Sequence, residues 1–245
     1  MVTLLGCIRR RDDLTREEFL RYWREVHGPV VTQVPEFMRH IKKYVQNHPI
    51  SLFLPGFPTV SPQFDGVAQM WADSSDELAQ AYREPRFWQV IYPDGSRFVN
   101  FVKGNVMVMN QIVFHGGSVG FADTSLVKLM AFFKRKEGMT HEEFRHVWQD
   151  EHAPLVLGIP QFMRHIRRYV QNHPLDVSVS VSGSEGKEEL SFDGVAELWA
   201  DNIEELSAAF SEPEFQKVIY PHGQTVVDPH ACPQIVVRET VIHDS

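Results

Sequence analysis

The chain repeats itself once. LTREEFLRYWREVHGPVVTQVPEFMRHIKKYVQNHPI, starting at Leu14, returns as MTHEEFRHVWQDEHAPLVLGIPQFMRHIRRYVQNHPL, starting at Met139, with about 20 of 37 positions identical. A second block, FDGVAQMWADSSDELAQAYREPRFWQVIYPDG from Phe64, returns as FDGVAELWADNIEELSAAFSEPEFQKVIYPHG from Phe192. The offset is 125 residues in the first block and 128 in the second. The three extra residues fall in the loop between the blocks, where insertions cost little. Two long copies do not make a solenoid. They predict a closed pair: one module over residues 1–115 and a second over 125–245, joined at the Gly-rich HGGSVGFADT of residues 115–124.

Each copy predicts the order β-α-β-β-α-β. In the first, the apolar run Val2 to Ile8 is strand one. Thr15-Arg16-Glu17-Glu18 fits a capping box, repeated at Thr140 to Glu143, and opens a helix with Phe19, Trp23, Val26 and His27 on one face. Pro29 and Pro154 mark its end or a break. His40 to Pro49 and Asp65 to Ala72 are strands two and three, Asp76 to Tyr82 a second helix capped by Ser74 or Ser75, and Asn105 to Phe114 strand four. This is the ferredoxin-like split pattern, with both helices on one face of an antiparallel sheet. Strand one of the second copy is apolar at both parities, which implies burial on both sides. Helices cover one face, and the tethered sister module covers the other. The expected fold class is α+β: two ferredoxin-like βαββαβ modules in tandem, forming an intramolecular α+β barrel with eight strands and four helices.

Composition narrows the partners. The net charge is −8, with no long Lys/Arg run, so neither nucleic acid nor an anionic membrane surface is an expected partner. Cys7 and Cys232 form no CxxC and do not match each other in the repeat, which fits a reducing, cytoplasmic compartment. No stretch is long and apolar enough for a membrane span, and the first residues lack the order of a signal peptide. No HxH, HxxxH or HExxH occurs with a suitable partner, nor GxSxG, a P-loop or GxGxxG, so no metal or cofactor is expected.

Strand alternation sorts the polar residues. On strand two, Tyr44, Gln46 and His48 share a side, with Val45 and Asn47 opposite. On strand three, Gln69 and Trp71 share a side, while Gly66 and Ala68 suit close packing by helices. Tyr44, Gln46, His48, Gln69 and Trp71 are therefore expected to point into the barrel, with their counterparts Tyr169, Gln171, His173, Glu197 and Trp199. Buried together they must either bond one another or line a ligand cavity. His27 and His152 each follow a Trp by four residues at a helix end. They read either as helix caps or as an acid or base at a pocket rim. Gln69 is replaced by Glu197 in the second copy, and only the carboxylate can take a proton. The apolar, Pro-rich segment 50–63 is expected to cover a cavity mouth, and its polar counterpart, Asp176 to Glu189, to be mobile.

TxEEFxxxWxxxHxPxV, RxYVQNH and FDGVAELWxD together resemble the EthD family of the dimeric α+β barrel superfamily, twice over and across nearly the whole chain. The resemblance implies the fold, here with the usual dimer fused into one chain. It implies chemistry less sharply, since similar proteins include dehydratases and cyclases of aromatic polyketides, cofactor-free monooxygenases, lactone isomerases and haem peroxidases. The family's helix-end His matches His27 and His152; its strand Glu matches only Glu197. The expected function is a cofactor-free lyase or isomerase acting on a hydrophobic aromatic or polyketide-like molecule in the barrel cavity. His152 or His173 takes the proton, Glu197 assists, Tyr169 hydrogen-bonds the enolate, and the first half, with His27, does less. Tyr44, Gln46, His48, Gln69, Trp71, Gln171 and Trp199 would bind substrate. The alternatives are a cofactor-free monooxygenase on a phenol, a binding protein without turnover, and a haem protein, which a Soret band would reveal. A homodimer of the fused unit is a further expectation.

Overall fold

The computed structural model describes residues 1–51, 64–177 and 192–245. The segments expected to act as a lid and as a mobile loop lie almost wholly outside those residues. The first half runs β1 (Val2–Ile8), α1 (Arg16–Tyr22), α2 (Gly28–Thr32), α3 (Pro35–Met38), β2 (Lys43–Ser51), β3 (Gly66–Ala72), α4 (Ser75–Arg83), α5 (Tyr92–Gly95) and β4 (Asn105–His115). The second repeats the order as β5 (Val127–Phe133), α6 (His141–His146), α7 (Ala153–Leu157), α8 (Pro160–Met163), β6 (Arg168–Pro174), β7 (Gly194–Ala200), α9 (Ile203–Ser211), α10 (Tyr220–Gly223) and β8 (Gln234–Asp244).

All eight strands join one closed antiparallel barrel, in the order β1-β3-β2-β8-β5-β7-β6-β4. Each half contributes four neighbouring strands, and the two sheets are sewn together by β2 with β8 and β4 with β6. Closure removes the free strand edges, so a dimer of the fused unit would have to use another surface.

The capping boxes form at Thr15–Glu18 and Thr140–Glu143, each a cap of about 1 kcal/mol. The prolines do not end the helices. A wide π turn over Trp23–His27 carries α1 into α2, with the Gly28 N–H reaching back five residues to the Trp23 carbonyl. Pro29 then sits in the first turn of α2, where its missing N–H is tolerated. Val147–His152 does the same between α6 and α7, and further π turns at Phe87–Ile91 and Phe215–Ile219 lead into α5 and α10. The extra residue in the turn changes the helix face: Trp23 is fully buried while Val26, expected beside it, is 40% exposed.

Register decides which side chains enter the barrel. Val45 pairs with Gln69, Gln46 with Ala68 and Tyr44 with Met70, and paired residues point to the same face. The barrel interior therefore receives Val45, Asn47, Gln69 and Trp71. Tyr44, Gln46 and His48 go to the opposite, helix-covered face. Strand two thus faces opposite to the expectation, because a one-residue choice of register inverts a whole strand, while strand three faces as expected.

The interior holds no ligand chamber among the described residues. Leu5, Met107, Met109, Met130, Phe132 and Ile235 pack one part of it, as expected for a barrel of eight strands. The rest is a polar network. Lys128 Nζ donates to Glu239 at 2.6 Å, to Gln69 at 3.1 Å and to Glu197 at 3.4 Å. Asn172 also donates to Glu197, and Trp199 to Glu239. Arg168 holds the linker through the carbonyls of Gly116 and Ser118.

Candidate functional site

Two apolar cavities lie outside the barrel, one per half, between the outer face of each sheet and its own helices. The first, about 120 Å³, is lined by residues that include Trp23, His27, Tyr44, Phe37, Ala68 and Tyr92. The second, about 100 Å³, is lined at matching positions by Trp148, His152, Tyr169, Phe162, Ala196 and Tyr220. The expectation placed substrate inside the barrel, whereas these two cavities lie beneath the helices. The small residues at 68 and 196 keep the sheet low, while the π turns lower a Trp and a His onto it.

In the first cavity the helix-end His has an acidic partner. His27 Nδ1 lies 2.7 Å from Asp94 Oδ2, and the Tyr22 hydroxyl donates to Asp94 Oδ1 at 2.7 Å. Burial opposes ionisation of Asp94, but hydrogen bonds from His27 and Tyr22, with the nearby charge of Arg97, outweigh it and hold the carboxyl below its ordinary range. An ionised Asp94 accepts the Nδ1–H and fixes that tautomer. Nε2, which has no partner among the described residues, is left with its lone pair. The Tyr44 hydroxyl in the same cavity accepts from Trp23 Nε1 and Gln46 Nε2, both at 3.2 Å. Its own proton has no acceptor among the described residues and remains available to a ligand oxygen. Burial first, against the hydrogen bonds from Gln46 and Trp23, pushes its pKa up to about 12, so it stays a donor.

The second cavity has lost this arrangement. Val147 stands where the first half has Tyr22, and His222 where it has Asp94. His152 Nδ1 meets His222 Nδ1 at 3.1 Å. Burial, and then the neighbouring His222, lower the His152 pKa to about 4. It is therefore a neutral imidazole and a weak base. Glu197, expected to assist it, points into the barrel from the other face of β7.

The remaining candidates support the cavities or lie elsewhere. Gln46 Nε2 donates to the Trp23 carbonyl at 2.9 Å, and Gln171 does the same for Trp148, tying each π turn to its sheet. His48 stacks on Trp23, and His173 lies tilted against Trp148, each bonded through Nε2 to its neighbouring Gln. Burial lowers both histidines to about 4, with Arg24 and Arg145 adding to it. Tyr169 lines the second cavity with its hydroxyl bonded to Gln171 at 2.7 Å. Gln69, Trp71, Glu197 and Trp199 belong to the barrel network and touch neither cavity. Asp94 and Tyr22 were missed. Their signal was present: YPDG against YPHG for Asp94, and Tyr22 against Val147, are changes of chemistry between the copies, like Gln69 against Glu197.

The EthD domain model matches residues 11–101 and 136–230, one match per half. No curated protein matches the chain. Similar solved structures include an anthrone oxidase-like protein, with a TM-score of 0.60 and 11% identity over 98% of this chain and 93% of that one. A protein assigned provisionally as a monooxygenase from Lactobacillus acidophilus NCFM has a TM-score of 0.53 and 10% identity, over 98% and 94%. Chlorite dismutase from Candidatus Nitrospira defluvii has a TM-score of 0.51 and 10% identity, over 96% and 90%. At such identities the likeness is one of fold.

Proposed function

The chain belongs to the EthD family, and on that premise we propose that it is an acid–base enzyme acting on an apolar small molecule held in the first cavity. His27 Nε2 takes a proton from a carbon acid next to a carbonyl, or from a phenol. Asp94, steadied by Tyr22, aligns the imidazole and stabilises the cation that forms. Tyr44 donates its proton to the oxygen on which negative charge develops. The protonated His27 then returns its proton, to the hydroxyl that leaves as water or to the oxygen formed on ring closure, which makes the enzyme a lyase or isomerase of the dehydratase or cyclase kind. The observation that carries this reading is the 2.7 Å contact between His27 and Asp94, with Nε2 left over in an apolar cavity.

The similar structures described as a monooxygenase and as anthrone oxidase-like favour a second outcome of the same first step. A deprotonated phenol or anthrone-like carbanion is electron-rich enough to react with dioxygen. An oxygen electrode separates the two. Turnover of an aromatic polyketide-like substrate without oxygen uptake, lost in His27→Ala, supports the lyase or isomerase. Stoichiometric uptake points to oxygenation, and turnover unaffected by His27→Ala would remove the first cavity from either.

A further inference from the structure

The second cavity has kept its shape and lost its base. Its lining is almost wholly apolar, with Leu129, Trp148, Val156, Phe162, Leu198 and Phe215 around it. Ala131 stands where the first half has Gly6, and Cys232 where it has Gly104. Among the described residues, His152 bonds to the protein through Nδ1, shared with His222. Either ring of that pair can carry the bridging proton, so Nε2 of His152 can present a lone pair or a proton to a ligand. No carboxylate lines the cavity.

We propose that this cavity is a ligand site of its own, which binds a neutral, mostly apolar small molecule bearing one hydroxyl or carbonyl and leaves it chemically unchanged. The hydroxyl or carbonyl pairs with His152 Nε2, and the apolar body lies between Trp148, Phe162 and Ala196. A charged ligand would find no counterion there. A weakly basic imidazole takes no proton from a carbon acid. This site does not depend on the reaction assigned to the first cavity.

The experiment uses the full chain labelled with 5-fluorotryptophan. Trp148 lines the second cavity and Trp23 the first, so their fluorine resonances report on the two separately. p-Cresol and toluene are titrated at neutral pH. The expected result is a saturable shift of the Trp148 resonance, with p-cresol about three- to tenfold tighter than toluene, the scale of one neutral hydrogen bond. His152→Phe should reverse that order, because an unpaired hydroxyl is disfavoured in an apolar space. Ala196→Leu should weaken both probes at Trp148 and leave Trp23 unmoved. His222→Asp should raise the His152 pKa, read by NMR titration. A Trp148 resonance that does not saturate overturns the proposal. So does equal binding of the two probes to the wild type, which marks a bare void. A His152 pKa unmoved in His222→Asp overturns the claim that the site lost its basicity by that change. Each result stands apart from turnover, which reads the first cavity.

Discussion

Gln69 Nε2 donates to Glu197 Oε1 at 2.9 Å, a bond between equivalent positions of the two halves inside the barrel. Around it the copies have diverged together. Thr3, Gln69 and Gln111 of the first half are Lys128, Glu197 and Glu239 in the second. One buried cation thus lies between two buried carboxylates, each side chain no more than 1% exposed. Lys128→Thr alone should destabilise by about 3–5 kcal/mol, because it strands buried negative charge. Lys128→Thr with Glu197→Gln and Glu239→Gln rebuilds the neutral set of the first half and should cost clearly less. Urea midpoints at constant m-value check this; a triple variant weaker than the single one would contradict it.

The His27–Asp94 pair makes a separate prediction about the two halves. His27→Ala and Asp94→Asn should each lower turnover by about 10²-fold or more, the scale of a lost acid–base group. Asn at 94 keeps the shape but can reverse the hydrogen bond to Nδ1, leaving the wrong tautomer. His152→Ala should reduce turnover much less. Steady-state rates of the variants, with melting temperatures as the folding control, measure this. Equal losses from His27→Ala and His152→Ala would show both cavities at work.

Much of this was legible in the sequence, and the failures have one origin. The duplication, the capping boxes and the small residues at Gly66 and Ala68 depend on local pattern, and they gave the strands within about three residues. The site depended on register and on turn geometry. Tyr44 and Val45 are both largely apolar and Gln46 and Asn47 both carry amides, so the strand could have exchanged faces without any local penalty. The π turns add a residue that periodicity at 3.6 does not contain, and they bring His27 to a residue 67 positions away. Glu197 attracted attention because it titrates, whereas Asp94 sits in a YPDG segment that reads as a turn.

Acid should weaken the fold through the buried histidines. His48, His152 and His173 have pKa values lowered to about 4 from the ordinary 6.5. Between those values the unfolded chain binds protons that the folded chain refuses, so stability falls as pH falls. Each group contributes up to about 1.4 kcal/mol per pH unit in that window and nothing above it. Asp94 acts in a lower window, because its depressed pKa keeps it ionised until the solution is more acid. Urea unfolding at several pH values should show a plateau above pH 7 and a decline below about 6.5. His173→Gln should flatten part of that decline; an unchanged slope would mean the ring is protonated in the folded state.

Gly66 tests whether the position of Trp23 governs the first cavity. A Cβ on Gly66 would lie 2.5 Å from Trp23 Cζ3, too close for the fully buried indole to stay where it is. The ring cannot move freely: His48 stacks on it at 4.8 Å, and its Nε1 donates to Tyr44. Gly66→Ala should therefore cost about 1–3 kcal/mol through overpacking. The displaced Trp23 also belongs to the π turn that ends at His27, so turnover should fall by more than the loss of folded protein explains. Gly6→Ala is the stability control, since its Cβ would meet Ala68 Cβ at an ordinary 3.6 Å and Ala131 already stands there in the second half. Thermal melts and rates measured side by side decide the matter. A Gly66→Ala variant as stable and as active as the wild type would mean the indole has room that the packing denies it, and that His27 is held in place by Asp94 alone.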